Sequence, residues 1–521
     1  MYYFHKEIMQ LMLYKTKISP HFALHKILLR ILLLTFFLSG AWNTKSQAQE
    51  IEYQISVSKD LSGNSVSLEQ AMQLMLSNND AIKQAHKGVE IAVAQKQRLN
   101  AAWFPTITAA GEYIHMSNDI EAQESVGELL KPIAETFPEI GAIANISAIF
   151  DNLNSIKLSF PLLDQNISSI DATITWPIFS GGKRIYANRI GKSAIKYAGF
   201  IEQAAEDNQS MLLIERYYTA KLTSEIVKVQ QQNMASMRRL YSNALKLMET
   251  GIINKAEMLV AKVASQEAER ELKSALNNDS IANTALLSIM GSNTTTNSTT
   301  NTATKIKLAT PFFISTNLPP KEYFKKITSS GNPQLNMLKS QQEIASNNFK
   351  IARSGYLPDI AAFGKQNIYS YNIPKNLSPR TTVGAGFIWN IFDGLYREKS
   401  MQIAKKEQQL LELGESQLNK ELDLALDRLY AQLCDLKNSL PTINTTIELA
   451  TELVKIQEKS FSEGMATSLE VANAHTLLAQ TTTAAATIYC QYDITLAMLL
   501  AITGQSSSFL SYLTRADLFY Q

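Results

Sequence analysis

Trp176-Pro177-Ile178-Phe179-Ser180-Gly181-Gly182 is written again 213 residues later, as Trp389-Asn390-Ile391-Phe392-Asp393-Gly394-Leu395. The same offset carries Gly251 onto Gly464, and Leu287-Ser288-Ile289-Met290-Gly291 onto Leu500-Ala501-Ile502-Thr503-Gly504. Upstream, Trp103-Phe104-Pro105-Thr106-Ile107 matches Tyr356-Leu357-Pro358-Asp359-Ile360 at an offset of 253, which also places Asn79 on Asn332. Three separated matches at one offset do not arise by chance, so the chain is a duplication. The fall from 253 to 213 gives the first copy about 40 extra residues, which lie within Met116–Ser169.

Each copy reads helix, strand, loop, strand, very long helix, turn, long helix. Leu68–Ala102 has helical apolar spacing, and Pro105, with no N–H to donate, stops it. Strands are expected near 106–115 and 168–179, and again near 359–370 and 381–392. In the last of these Val383, Ala385, Phe387 and Trp389 share one face, with Thr382, Gly384 and Gly386 on the other. An apolar face, a small or polar face and a terminal aromatic describe a membrane barrel strand. Gly181 and Gly394 mark strand-to-helix reversals; Gly181-Gly182-Lys183-Arg184 lacks the spacing of a phosphate-binding loop. Long helices are expected over 185–250 and 396–463, each about 100 Å long, returning as 255–290 and 468–502. Leu422, Leu426, Leu429, Leu433, Leu436, Leu440, Ile443 and Ile447 alternate steps of four and three, which is a coiled-coil seam. Pro441 within it is expected to kink the helix.

Composition narrows the function. Formal net charge is +2 at pH 7 and the cations are dispersed, unlike a nucleic-acid footprint. Residues 1–48 read as a signal peptide, with the apolar run Ile27–Leu38 and cleavage after Ala48, the true start lying at Met1, Met9 or Met12. No Cys follows closely to carry a lipid, and no later run of about 18 apolar residues suggests a spanning helix. Residues 49–291 form the first repeat, 292–319 a polar linker, 320–504 the second repeat and 505–521 a tail. Cys434 and Cys490 flank Gly464 at similar distances, and are either a disulfide or two small buried hydrophobes. The His residues beyond the leader, His86, His115 and His475, show no metal-ligand spacing. With no nucleophile elbow or nucleotide motif, neither catalysis nor a cofactor is indicated.

Four strands cannot close a membrane barrel, and open edges cannot face lipid. Three copies give twelve strands, a ring wide enough for a wet lumen and closed by cyclic symmetry. The fold class expected is therefore mainly α with a membrane β-barrel: a trimeric 12-stranded barrel on a long periplasmic α-helical coiled-coil tunnel. The competing reading is a periplasmic coiled-coil adaptor or structural scaffold without a barrel.

The doubled order, the Trp-x-Ile-Phe-x-Gly strand ends and the second glycine turn leading into Leu469-x-x-Ala472 resemble the TolC-like outer-membrane efflux family over Ser67–Gly504. The resemblance implies an outer-membrane channel subunit of a tripartite efflux or type I secretion system, a passive duct rather than an enzyme. It implies a homotrimer in outer-membrane lipid, a periplasmic adaptor (membrane fusion protein) and an inner-membrane pump of RND or ABC type. Adaptor-contacting tips would be Thr250, Gly251, Ile252, Glu463, Gly464 and Met465. The family pattern usually has Val before the glycine of this tip, so adaptor preference is open. The periplasmic aperture would involve Glu470, Asn473, Glu257 and Phe461. Asn473 removes one of the family's two acidic rings, and Phe461 cannot donate the hydrogen bond an aromatic hydroxyl would supply there, so Glu257 needs another partner. Trp176, Phe179, Trp389 and Phe392 would be the membrane-interface aromatics.

Overall fold

The computed structural model describes residues 65–125, 157–291, 306–373 and 378–520; the expected signal peptide and the Thr/Asn-rich stretch after Gly291 lie outside them. The first copy opens with α1 (Leu68–Asn78) and α2 (Asp80–Ala101), then β1 (Thr106–His115) and the paired β2 (Ile120–Ser125) and β3 (Lys157–Leu163). β4 (Asn166–Ser180), α3 (Lys183–Glu249) and α4 (Lys255–Ile289) complete it. After a two-residue strand β5 (Phe313–Ile314), the second copy runs α5 (Lys321–Gly331), α6 (Pro333–Ser354), β6 (Asp359–Tyr371) and β7 (Thr381–Ile388). It closes with α7 (Tyr396–Ser462) and α8 (Ser468–Ile502), followed by a 3-10 turn (Ser506–Ser508), α9 (Phe509–Thr514) and β8 (Leu518–Phe519).

The sequence-based reading needs correction at two places, the first helix and the linker with its tail. The first helix is two helices, because Asn79 turns its side chain onto the Ala81 and Ile82 N–H groups and starts a new helix. Asn332 repeats the device on Leu335 N–H, and each amide also reaches the end of its own repeat's last helix, at Ile289 O (3.4 Å) and Ile502 O (2.8 Å). Residues 306–319 are not polar spacer: Phe312, Phe313 and Ile314 are buried, and β5 pairs with β8 of the supposed tail. Part of the 116–169 insertion is the β2–β3 ribbon. Ser468–Ile502 is long and apolar enough to cross a membrane by composition, yet 61% of its most apolar window is buried inside the chain. That helix is rich in Ala and Thr and packs in the wall. Cys434 and Cys490 are both free thiols.

β1, β4, β6 and β7 form one antiparallel sheet in that order, so β4 and β6 join the two copies and β1 and β7 are its edges. Opposed residues share a face. One face carries Ile107, Ile174, Val383, Ala385 and Phe387; the other carries Thr106, Thr175, Thr173, Lys365 and Thr382. Every residue of β1 and all but one of β7 are exposed. Among the described residues no helix packs across either face of the sheet.

The helices continue the same order. α7 stays helical through Pro441, with Leu422, Leu426, Leu433, Leu436 and Leu440 of its seam buried. Midway along, an aromatic core ties tail to wall: Tyr218 stacks on Phe312, and Phe509 packs edge-on to Phe313. Tyr217 donates to Val66 O and accepts from Thr310 N.

Candidate functional site: the strand ends and the helical tips

At the strand ends the two copies build one device twice. Trp176 Nε1 donates to Trp103 O at 3.2 Å, and Trp389 Nε1 to Tyr356 O at 3.1 Å. Arg184 lies over the Trp103 ring at 4.5 Å and donates to Ile178 O at 2.7 Å. Arg397 lies over Tyr356 at 4.7 Å and donates to Ile391 O at 2.9 Å. Each arginine also reaches the last turn of the preceding helix, at Ala102 O or Gly355 O, and the side chain four residues back, Ser180 or Asp393. A planar guanidinium satisfies several carbonyls while stacking on a ring, which a lysine cannot do. Strand and helix are thereby locked at the joint. Sequence reasoning passed over both arginines, although they lie on the same 213-residue offset. Trp176, Phe179, Trp389 and Phe392 are all exposed here.

The other end of α3 and α4 is a tip. Thr250 caps α3, Gly251 takes φ +74°, and Ile252 N donates back to Leu247 O at 2.9 Å. In the second copy Glu463 and Gly464 (φ +75°) do the same, with Met465 N on Ser460 O at 2.8 Å. Positive φ favours glycine, which explains the residue at both turns. A Cβ on Gly464 would stand 3.3 Å from Ile252, so the two tips are adjacent. Ile252 and Met465 are exposed apolar side chains, 59% and 71%.

Just behind the tips, Phe461 is 3% exposed in an apolar cluster with Met237, Leu240 and Ala244 of α3, Met258 and Ala261 of α4, and Val471 of α8. It packs the two hairpins together. Glu257 reaches across: its Oε2 accepts from Ser468 N, the first N–H of α8, at 2.9 Å. The expected need for a partner other than position 461 is met by backbone. Glu470, the equivalent residue of the second copy, turns inward on its own helix. Its Oε2 accepts from Thr467 N at 2.7 Å and from Thr467 Oγ1, closing a capping box. Those hydrogen bonds from Thr467 hold the Glu470 carboxyl below the usual carboxylate range. Asn473 is exposed, one turn further on. The structure thus brings Glu257 and Phe461 into the contact between hairpins, and leaves Glu470 and Asn473 on an exposed helix face.

Elsewhere, His475 is buried against Glu458 at 2.9 Å, and His86 sits on Glu202 at 2.7 Å. Among the described residues no group of His, Cys, Asp and Glu could hold a metal ion. Burial, with Asp493 and Glu215 nearby, pushes the Cys490 thiol up to about 12. A thiol so placed is inert.

The chain matches the model of the family described as outer membrane efflux protein over residues 71–292 and 328–505. No curated protein matches it in sequence. Among solved structures it is similar to VceC, an outer membrane protein of Vibrio cholerae, with 13% identity, TM-score 0.64, 84% of this chain and 96% of that chain covered. The CmeC outer membrane channel of Campylobacter jejuni is similar at 14% identity and TM-score 0.62, covering 87% and 90%. The MtrE outer membrane channel of Neisseria gonorrhoeae, in its open state, is similar at 13% and 0.62, covering 84% and 89%. Such identities speak for the fold, while the family model spans both repeats. The chain belongs to the outer membrane efflux protein family, as an outer-membrane channel subunit whose helices extend into the periplasm.

Proposed function

We propose that three copies close their sheets into a 12-stranded barrel over a helical tunnel, forming the passive exit duct of a tripartite efflux or type I secretion system. The observation that carries this reading is the sheet: four strands, up to 15 residues long, with β1 and β7 exposed and, among the described residues, unpaired at their outer edges. Water would tolerate the edges, but lipid would not, since each unpaired backbone group costs several kcal/mol there. Closure with neighbouring copies pairs β1 of one with β7 of the next. The face bearing Ile107, Ile174, Val383, Ala385 and Phe387 then meets lipid, and the face bearing Thr173, Asp171 and Lys365 lines the lumen, where Lys365 pairs with Asp171 at 2.9 Å.

The tip residues Thr250, Gly251, Ile252, Glu463, Gly464 and Met465 serve as the adaptor-facing end, Ile252 and Met465 being the apolar anchors such contacts favour. An inner-membrane pump of RND or ABC type supplies the energy; the duct itself performs no chemistry. The Glu257–Ser468 contact and the Phe461 cluster hold the hairpins closed at the periplasmic aperture, with Glu470 and Asn473 beside it. The test is planar-bilayer conductance of the purified full chain, with gel mobility before and after boiling. Discrete channels and a heat-dissociated trimer are expected. A monomer that never conducts would defeat the proposal.

A further inference from the structure

Below the sheet, α3 and α6 enclose a groove of about 650 Å³ whose lining includes Arg189, Lys192, Lys196, Lys339 and Lys350 against one carboxylate, Glu343. Glu343 is already engaged by Ser193 Oγ (2.7 Å) and by Lys196 (3.2 Å). Tyr186 stands at the upper end, with the Arg189 guanidinium 5.7 Å and the Lys350 ammonium 6.0 Å from its ring. Two cations flank one aromatic, and neither the sheet joint nor the tips use them.

The side on which the groove opens follows from helix geometry. Lys183 pairs at 3.0 Å with Asp359, which shares the polar sheet face with Phe363 and Lys365. At about 100° per residue, Lys192, Arg189 and Lys196 point roughly 180–240° away from Lys183. Gly191 and Asn188 face α2, where Lys96 and Asn100 lie, and Ser193 faces α6. With both flanks occupied by neighbouring helices, the cations occupy the remaining side, away from the polar face. On α6, Asn347 and Ser354 are buried while Lys339 is exposed. The groove therefore opens on the same side of the wall as the apolar sheet face. Its upper end lies only about 6–9 Å beyond the strand ends, six residues along α3 and four before the end of α6. A lipid headgroup layer occupies about that depth beyond the hydrocarbon.

We propose that the groove binds the phosphate headgroup of an anionic phospholipid in the periplasmic leaflet, with Arg189 and Lys350 on the phosphate and Tyr186 at the interface. Basic pockets between helices at a membrane surface are suited to this chemistry. A duct crossing the periplasm is thereby anchored at a fixed depth by its outer wall. The inference rests on the sheet being a barrel wall.

The test uses the assembled full chain in mixed micelles, with bound lipid counted by native mass spectrometry. Phosphatidylglycerol is expected to be retained over phosphatidylcholine, and the Arg189→Gln/Lys350→Gln variant to lose affinity by about fivefold for each charge removed. Equal retention of the two lipids by the unaltered protein overturns the proposal, whether or not the variant assembles. So does a variant that retains phosphatidylglycerol undiminished. Displacement of the lipid by an equal concentration of glycerol phosphate would reveal a free-anion site and overturn the lipid assignment. Material that fails to insert into vesicles defeats the barrel reading itself; insertion without lipid preference defeats this inference alone.

Discussion

Glu257 and Glu470 hold the same place in the two copies, the third residue of a returning helix, and do different things with it. Glu470 caps its own helix through Thr467. Glu257 leaves its own cap to Asn254 and spends its carboxylate on the neighbouring hairpin. Removing Glu257 therefore unties two hairpins, whereas removing Glu470 loosens one helix end. Glu257→Ala is expected to raise single-channel open probability by about tenfold or more, the loss of one charge-assisted hydrogen bond being worth about 1.5–3 kcal/mol. Glu470→Ala should leave it near the unaltered value and lower helix stability instead. Equal conductance traces for the two variants would remove Glu257 from any gating role. A second residue, Asp493, is fully buried; among the described residues it has only a 3.4 Å hydrogen bond from Phe313 N on one oxygen and no partner on the other. Burial raises its carboxyl well above the usual range. The folded chain then holds the proton more tightly than the unfolded chain. Its contribution is present in full below the unfolded value, near 4, and is lost as pH rises towards the folded one. Asp493→Asn should flatten the decline of melting temperature between acid and neutral pH, and raise it at neutral pH. A pH profile unchanged by the substitution would show that Asp493 does not set it.

At the scale of elements, the strand-to-helix turns differ between copies at one position. Gly182 (φ +86°) corresponds to Leu395 (φ +68°), so a branched side chain occupies the left-handed region in the second turn. That conformation costs an ordinary residue about 1–2 kcal/mol, and the extra backbone entropy of glycine returns part of it. Leu395→Gly is expected to stabilise the assembled protein by about 0.5–1 kcal/mol, read as a higher dissociation temperature of the trimer. A lower temperature would mean that Leu395, 55% exposed in one chain, packs against a neighbouring copy. These turns were legible in the sequence because glycine and an offset announce them. The strands were legible because apolar residues alternate with small or polar ones, as Val383, Ala385 and Phe387 do with Thr382, Gly384 and Gly386. The arginine clamps were not, since a cation beside a predicted helix start carries no periodic signal and its partners lie some 80 residues away, as Ala102 does from Arg184. The β5–β8 pair was hidden for a similar reason. Two residues make too short a strand for alternation, and Phe312-Phe313-Ile314 lies just beyond a Thr/Asn-rich run that ends at Thr304 and dominates the local composition. At the tips, sequence placed both glycines but could not show that Glu257 crosses between hairpins while Glu470 does not.

At the scale of the whole molecule, the sheet has two faces that only assembly and a membrane can tell apart. Ala385 and Thr382 lie three residues apart on β7, on opposite faces, and both are exposed in one chain. If the chain remained a soluble scaffold, a lysine at either position would project into water with little effect. In a barrel the outcomes separate. Lysine on the lipid face costs about 2–4 kcal/mol near the bilayer centre, whereas lumen substitutions alter selectivity rather than stability. With three copies in the proposed ring, that penalty would be met three times. Ala385→Lys is therefore expected to abolish the heat-dissociated trimer in outer-membrane fractions. Thr382→Lys should assemble, with conductance less selective for cations because three new charges join the Lys365–Asp171 pairs on the lumen face. Were the two variants to assemble equally well, the apolar stripe of Ile107, Ile174, Val383, Ala385 and Phe387 would not be facing lipid, and the pairing of β1 with β7 of a neighbouring copy would lose its main physical reason.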